Sequence, residues 1–138
     1  MAQPKNIPLN ISRIFELAQK DNWVVEYDAS LDSFYWTKPK ISKTAKLKKF
    51  LADFSLYIND IGKIEGVFIE YAKYNFAAHN EGFDELFKTL DDAGSGVIID
   101  PNKHKEIQPM LRNMADRIGN ETLEALEKGL DLRKVVLA

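Results

Sequence analysis

The chain has 138 residues, of which 45% are hydrophobic and 29% are charged, and its formal net charge is −2. This is ordinary globular composition at a length that suits one domain, without a general attraction for nucleic acid or anionic membranes. The absence of cysteine excludes disulfides, thiolate nucleophiles and cysteine-ligated metal centres. Because the sequence starts without an apolar leader and contains no apolar run near the ~20 residues that cross a bilayer, we predict a soluble, cytoplasmic protein that binds no membrane.

The first half of the chain predicts one helix, a hairpin, a second helix and a longer hairpin. Apolar residues with helical spacing follow a potential N-cap at Asn10 and predict a helix over residues 10–21. Aromatic and β-branched runs on both sides of residues 28–32 predict the first hairpin. Apolar spacing typical of one helical face predicts a helix over 42–53. Residues 54–76 predict the long hairpin, since two β-prone runs flank an Asn-Asp-Ile-Gly turn.

The second half is predominantly helical in pattern. Asn80 is a potential N-cap for a helix whose apolar face should pack on the sheet. The glycine-containing segment 91–96 leads into residues 97–99, which are short enough for an edge strand or a buried connector. Two further helices are predicted, with Pro109 near the first turn of the earlier one and an interruption at Gly119.

Together these elements predict an α+β fold. We expect an antiparallel sheet of about four strands, made of two hairpins and packed by helices, with a helical C-terminal region. Residues 1–92 should form the α+β meander, and residues 93–138 should form a helical extension packed on the same domain, because the segment between them is the only flexible punctuation inside the chain.

Residues 24–76 also carry a resemblance to a known family. The positions concerned are Tyr27-Asp28, Asp32, Tyr35, Asn59-Asp60, Gly62-Lys63-Ile64, Gly66 and Ile69-Glu70. Their order is similar to the YD…D…Y opening and the D-x-G-x-I-x-G-x-E-like close of a family of very short prokaryotic β-meander proteins of unknown function. The resemblance implies a small sheet that often self-associates, and it assigns no catalytic residue.

The two histidines are the first candidates for a metal site. His79 and His104 could supply nitrogen ligands, with Asp100 and Glu70 as oxygen ligands. The histidines lack the i, i+4 pairing of a helical zinc site, so a structural or solvent-exposed role is the preferred interpretation. We therefore predict no metal and no cofactor.

A second hypothesis concerns acidic residues of the hairpins. Asp60, Glu70 and Lys73 resemble the two carboxylates and the lysine of Mg²⁺-dependent nucleases, although residues 70 and 73 of one strand would point to opposite faces. Asp28 and Asp32 could form a carboxylate pair, but turn formation explains both. No catalytic residue is assigned, and the sequence leans away from an enzyme.

Six lysines between residues 38 and 49 form the strongest local charge feature. They are Lys38, Lys40, Lys43, Lys46, Lys48 and Lys49. With Tyr35 and Trp36 just before them to stack on bases, they could contact phosphates of a nucleic acid. Arginine, which provides bidentate recognition, is absent from this segment. A solvated helix face, or an edge strand that lysines protect from unwanted pairing, is the preferred interpretation.

The surplus of aromatic residues favours a protein-interaction function. We predict a small non-enzymatic interaction module that is antitoxin-, immunity- or inhibitor-like and binds another protein or a second copy of itself. The expected contact residues are Trp36, Tyr57, Tyr71 and Tyr74, and the lysines expected to steer an acidic partner are Lys43, Lys46, Lys48 and Lys49. The alternatives are a Mg²⁺-dependent nuclease and nucleic-acid binding through the lysines.

Overall fold

The structure, a computed structural model, describes residues 11–51 and 53–129. Five strands in this part of the chain form one antiparallel sheet: β1 Val24–Asp28, β2 Ser33–Thr37, β3 Lys46–Leu51, β4 Phe54–Ile58 and β5 Ile64–Ile69. The longer helices are α1 Ile14–Lys20, α2 Asp84–Ala93 and α3 Gln108–Glu127. The shorter turns are π-helical at Ala72–Phe76, α-helical at Ala77–His79 and 3₁₀-helical at Pro101–Lys103 and Lys105–Ile107. The α+β fold is confirmed, with one strand more than predicted.

The strand order in the sheet is β1-β2-β5-β4-β3, and every pairing is antiparallel. β1 and β2 form one hairpin, and β3, β4 and β5 form a meander. β5 then returns to pair with β2, so Thr37 lies opposite Gly66 and Phe34 lies opposite Ile69. The connection over residues 38–45 therefore runs from the middle of the sheet to its far edge.

The predicted helix over 42–53 is wrong, because this segment contains the edge strand β3. Lys46 pairs with Ile58 and Lys49 pairs with Ser55 along β4. Leu47 is 44% exposed, so the apolar spacing that suggested a helix does not mark a buried face. Lysine-rich edge strands resist pairing with other chains, which favours the edge interpretation of these lysines.

The long hairpin is shorter than predicted at its C-terminal end. β5 ends at Ile69, and Tyr71 adopts the left-handed conformation with φ 53°. The π-helical turn Ala72–Phe76 follows in place of further strand. The first three backbone N–H groups of this turn, those of residues 72–74, donate to Asp32, which removes them from any strand pairing.

Two predicted helix boundaries also need correction. α2 begins at Asp84, and the Asn80 side chain donates instead to the Phe76 carbonyl at 2.8 Å, so it closes the preceding turn. α3 continues through Gly119 without interruption. A Cβ at this position would lie 3.2 Å from the Ile11 carbonyl oxygen, so the missing side chain lets that carbonyl approach the helix closely. The predicted N-cap Asn10 lies outside the described residues.

Two other expectations about the second half agree with the structure. Pro109 lies in the first turn of α3, where its missing N–H group leaves no helical hydrogen bond unmade. Ile99 forms an isolated antiparallel bridge with Val25, so residues 97–99 add one short contact at the β1 edge of the sheet. No helix among the described residues is both long and apolar enough to cross a membrane.

The helices pack on one face of the sheet and form the core with it. The rings of Tyr27 and Phe34 contact Phe87 of α2, and Trp36 contacts Phe15 of α1. The buried strand residues on this face are Val25, Tyr27, Phe34, Trp36, Phe54, Leu56, Ile58, Ile64, Val67 and Ile69. Among the described residues no helix covers the opposite face, which we call the open face.

Candidate functional site

The structure places the four predicted contact aromatics in three different regions. Trp36 is 1% exposed and packs edge-on against Trp23 at 5.6 Å between ring centroids, so its assignment to a binding surface is wrong. Tyr57 lies half-buried on the open face. Tyr71 and Tyr74 are 57% and 83% exposed just beyond β5. The sequence pattern predicted strands rich in aromatic residues, but it could not distinguish the aromatic residues of the core face from those of the open face.

Asp32, in the turn between β1 and β2, fixes the segment that carries the exposed tyrosines. Its carbonyl oxygen accepts from the Ala72 N–H at 2.9 Å. Its carboxylate accepts from the Lys73 N–H at 2.8 Å and from the Tyr74 N–H at 3.0 Å. A carboxylate at the free N–H groups of a helical turn stabilises that turn. Here the capping residue is distant in sequence, so no local motif could identify it.

A fourth hydrogen bond completes the set at Asp32, which we call the Asp32 anchor. The Tyr27 hydroxyl donates to the Asp32 carboxylate at 2.6 Å. Burial raises the pKa of Tyr27 well above its ordinary value, and the hydrogen bond and charge of Asp32 raise it further. The phenol therefore stays protonated and remains a donor to the buried carboxylate.

The exposed residues around this anchor form a surface. Leu31 precedes Asp32 and is exposed, as are Tyr71 and Tyr74. We call these three residues the tyrosine surface. Tyr71 is held at φ 53°, a conformation that costs a non-glycine residue about 1–2 kcal/mol and that often occurs where function requires it.

Asp28 has a separate, local role. Its carboxylate accepts from the Ser30 hydroxyl at 2.6 Å, the Ser30 N–H at 3.0 Å and the Leu31 N–H at 3.3 Å. The hydrogen bond from the Ser30 hydroxyl lowers the pKa of Asp28 below its ordinary value. Asp28 and Asp32 thus bind different groups: turn formation accounts for Asp28, whereas Asp32 binds the distant segment at residues 72–74.

The proposed nuclease residues do not converge. Asp60 lies in the turn before β5, where it accepts a 3.0 Å hydrogen bond from the Thr44 hydroxyl. Glu70 and Lys73 follow the other end of β5. Six strand residues separate these ends by roughly 17 Å, whereas ligands of one Mg²⁺ lie within a few ångströms of each other. Asp60, Glu70 and Lys73 therefore do not share one Mg²⁺ site.

The two histidines do not form the metal site considered from the sequence. His79 is exposed and its Nδ1 lies 2.9 Å from the Asn75 carbonyl oxygen. His104 is exposed beside Glu106, at 3.5 Å. Among residues 11–51 and 53–129, no group of three or more histidines and carboxylates could hold a metal ion.

The lysine segment begins at the end of the sheet opposite to the tyrosine surface, because Lys38 follows the end of β2 that pairs with the start of β5. It then runs along β3 toward the tyrosine end, where Lys49 shares a register row with Phe68. The buried Glu65 holds this segment. It accepts from the Ser42 N–H at 2.7 Å, the Ser42 hydroxyl at 2.6 Å and the Asn59 amide at 2.8 Å. Burial alone would raise the pKa of Glu65, but these hydrogen bonds and the nearby Lys38 charge lower it below its ordinary value. The sequence signal for this role of Glu65 was its position as a charged residue inside the otherwise apolar strand β5.

The lysines of this segment are not equivalent. Lys43, Lys46 and Lys49 are exposed, and Lys48 is half-buried. Lys49 shares its register position with Ser55, Phe68 and Tyr35 and therefore lies on the open face.

The open face carries two rows of side chains across all five strands. One row is Glu26, Tyr35, Phe68, Ser55 and Lys49, and the next is Val24, Thr37, Gly66, Tyr57 and Leu47. The rings of Tyr35 and Phe68 lie 5.1 Å apart between centroids. Burial raises the pKa of the Tyr57 hydroxyl, and the nearby Tyr35 adds to the shift. The first row is thus charged at its two ends with two aromatic rings between them, and the second row is uncharged with an apolar residue at each end.

A separate cleft of about 500 Å³ lies beside α3. Glu81, Asp116, Glu121 and Glu124 line it, with Arg117 3.8 Å from Glu121. Burial raises the pKa of Glu121; the neighbouring carboxylates, Asp53 among them, also raise it, and the Arg117 charge opposes the shift. The cleft is mainly acidic, and Asn113, Asn120 and Arg117 are its other polar lining residues.

Comparisons with known proteins add no assignment to this geometry. The chain matches no protein-family model, and the searches of curated proteins and of solved structures found no match. The resemblance of residues 24–76 to a β-meander family therefore stays a prediction.

Proposed function

We propose that this protein is a non-enzymatic interaction module that binds another protein through the tyrosine surface. The observation that carries this proposal is the anchoring of the backbone at Lys73 and Tyr74 by the Asp32 carboxylate. This anchor presents two exposed tyrosines on a backbone that is already ordered before a partner arrives.

Tyrosine suits such a surface for energetic reasons. It offers a large amphipathic area with few rotatable bonds, and it is enriched among the residues that dominate binding free energy. A pre-ordered backbone reduces the entropy lost on association. An 83% exposed Tyr74 gains little from packing within this chain, so a partner is the more effective cover for its ring.

An antitoxin-, immunity- or inhibitor-like role is the concrete form of this proposal, with a cytoplasmic location. Such proteins act by covering a surface of their target, and the tyrosine surface, which includes Leu31, supplies an apolar contact for that purpose. Steering by lysines is a smaller part of the proposal, because Lys43 and Lys46 lie toward the other end of the sheet and Lys49, nearer to the tyrosine surface, lies on the opposite edge strand from β1.

The test is a quantitative affinity capture from the native host with the tagged wild-type chain and with a Tyr71→Asp/Tyr74→Asp variant. We expect one stoichiometric protein partner with the wild type and at least about 100-fold weaker binding with the variant, since two contact residues are lost. Ile61→Asp is the matched control, because Ile61 is similarly exposed in the turn at the opposite end of the sheet. A partner retained equally by all three proteins would contradict the proposal.

A further inference from the structure

We propose that the open face is a second binding surface, at which two copies of this chain associate face to face. The row Glu26, Tyr35, Phe68, Ser55 and Lys49 is the basis of this inference. It begins with an acid at the β1 edge, ends with a base at the β3 edge and has two aromatic rings between them. Among the described residues, no opposite charge lies within ion-pair distance of Glu26 or Lys49.

A two-fold axis makes this row complementary to itself. If the axis runs parallel to β5, midway between two facing sheets, it reverses the strand order of one copy relative to the other. Glu26 of each copy then faces Lys49 of the other copy, and Phe68 on the central strand faces its own counterpart. Face-to-face sheets about 10 Å apart with nearly aligned strands are a common packing, and two-fold symmetry is the commonest in homo-oligomers.

The second row is also complementary to the same row of the other copy under this two-fold axis. Val24 of one copy faces Leu47 of the other, which pairs two apolar side chains. Tyr57 of one copy faces Thr37 of the other, and Gly66 faces its own counterpart at the middle of the row. Leu47, 44% exposed in the single chain, would gain an apolar cover. The two rows are therefore complementary to themselves, the first in charge and the second in polarity.

The edges of the sheet favour this face over edge-to-edge pairing. β3 carries Lys46, Lys48 and Lys49, which resist addition of another strand. At the other edge, β1 is bridged by Ile99, whose N–H and carbonyl groups bond to Val25 at 2.8 and 2.9 Å. The open face is the larger surface that remains.

The size of the face sets the expected affinity. Five strands spaced about 4.8 Å apart and about five residues long cover roughly 24 by 17 Å, or about 400 Å² for each copy. This is about half of the ~800 Å² that each partner buries in a standard interface. We therefore expect a weak dimer with a dissociation constant in the micromolar range or above, and a dimer share that grows with concentration.

Charge reversal at the two row ends tests the arrangement. Sedimentation velocity over about 10 μM to 1 mM should show dimerisation of the wild type and at least about 10-fold weaker dimerisation of Glu26→Lys and of Lys49→Glu, because each variant places like charges opposite each other. An equimolar mixture of the two variants should regain wild-type association, since both contacts then pair opposite charges. Glu85→Lys and Lys88→Glu, on the exposed side of α2, are the matched controls and should dimerise as the wild type.

Three results would overturn the proposal: a monomer at every concentration, single variants that dimerise as the wild type, or a mixture that fails to recover. Adding a thymidine oligonucleotide to the monomer tests the alternative that the open face binds nucleic acid. Oligonucleotide binding that Lys49→Glu abolishes while the chain stays monomeric would assign the face to nucleic acid instead. Tyr71→Asp/Tyr74→Asp should leave dimerisation unchanged, so failure of this proposal and failure of the proposed function are distinguishable.

Discussion

The Tyr27 hydroxyl donates a 2.6 Å hydrogen bond to the Asp32 carboxylate across the turn between β1 and β2. The same carboxylate accepts two backbone N–H groups from residues 73 and 74. One buried side chain thereby joins the first hairpin to the segment that follows the last strand. The tyrosine surface depends on this junction for its shape.

Replacing Asp32 should destabilise the fold. In Asp32→Ala, two N–H groups and the Tyr27 hydroxyl lose their acceptor, and we expect the free energy of unfolding to fall by about 2–3 kcal/mol. Asp32→Asn keeps an acceptor oxygen and tolerates the left-handed conformation at φ 51°, so its loss should be smaller. Urea denaturation measures both values. Asp60→Ala, at an exposed turn, is the control and should stay near the wild-type value; equal losses for Asp60→Ala and Asp32→Ala would contradict this role.

Tyr71→Gly should separate binding from stability. Glycine relieves the strain at φ 53° but adds freedom to the unfolded chain, and these effects nearly cancel. We expect the free energy of unfolding to stay within about 1 kcal/mol of wild type, while partner binding in the capture experiment weakens because an exposed ring is lost. Thermal unfolding and partner capture should be measured on the same preparation. A large loss of stability would show that the Tyr71 ring supports the fold instead.

Ionised Glu65 should stabilise the fold, and this contribution should be lost at acidic pH. Its folded pKa lies below its ordinary value, so its contribution is present above the unfolded pKa and is lost as pH falls through the folded pKa. Glu65→Gln should therefore destabilise the protein at pH 7 and lose less stability between about pH 5 and pH 3 than the wild type. Urea midpoints across this range measure the difference, and Glu85→Gln on α2 is the exposed control. Parallel curves for wild type and Glu65→Gln would exclude the assignment.

Gly66 should be intolerant of any side chain. An added Cβ would lie 2.5 Å from the Thr37 methyl carbon and 3.0 Å from the Thr37 Cα. Gly66→Ala should therefore cost about 1–3 kcal/mol by overpacking, as measured by urea denaturation. Adding Thr37→Ser removes the methyl group and should recover part of the loss. Full stability of Gly66→Ala would show that β2 and β5 can separate without cost.

Several elements follow from the sequence because their signals are local. The aromatic and β-branched runs on both sides of residues 28–32 and the turn signal in 59–62 were enough to identify both hairpins and thus the α+β class. The position of Pro109 was also predictable, since proline fits the first helical turn. Cysteine content and charge follow directly from the composition.

Tertiary contacts decided the remainder. The segment at residues 46–51 became a strand because β4 offers a pairing partner, and Trp36 entered the core because the helices cover its face and not that of Tyr35. The anchor at Asp32 joins groups about 40 residues apart, and the rows of the open face combine five strands whose order no local pattern specifies. Local propensity acts over a few neighbouring residues, whereas the sheet order and the burial of one face depend on which distant surfaces pack together.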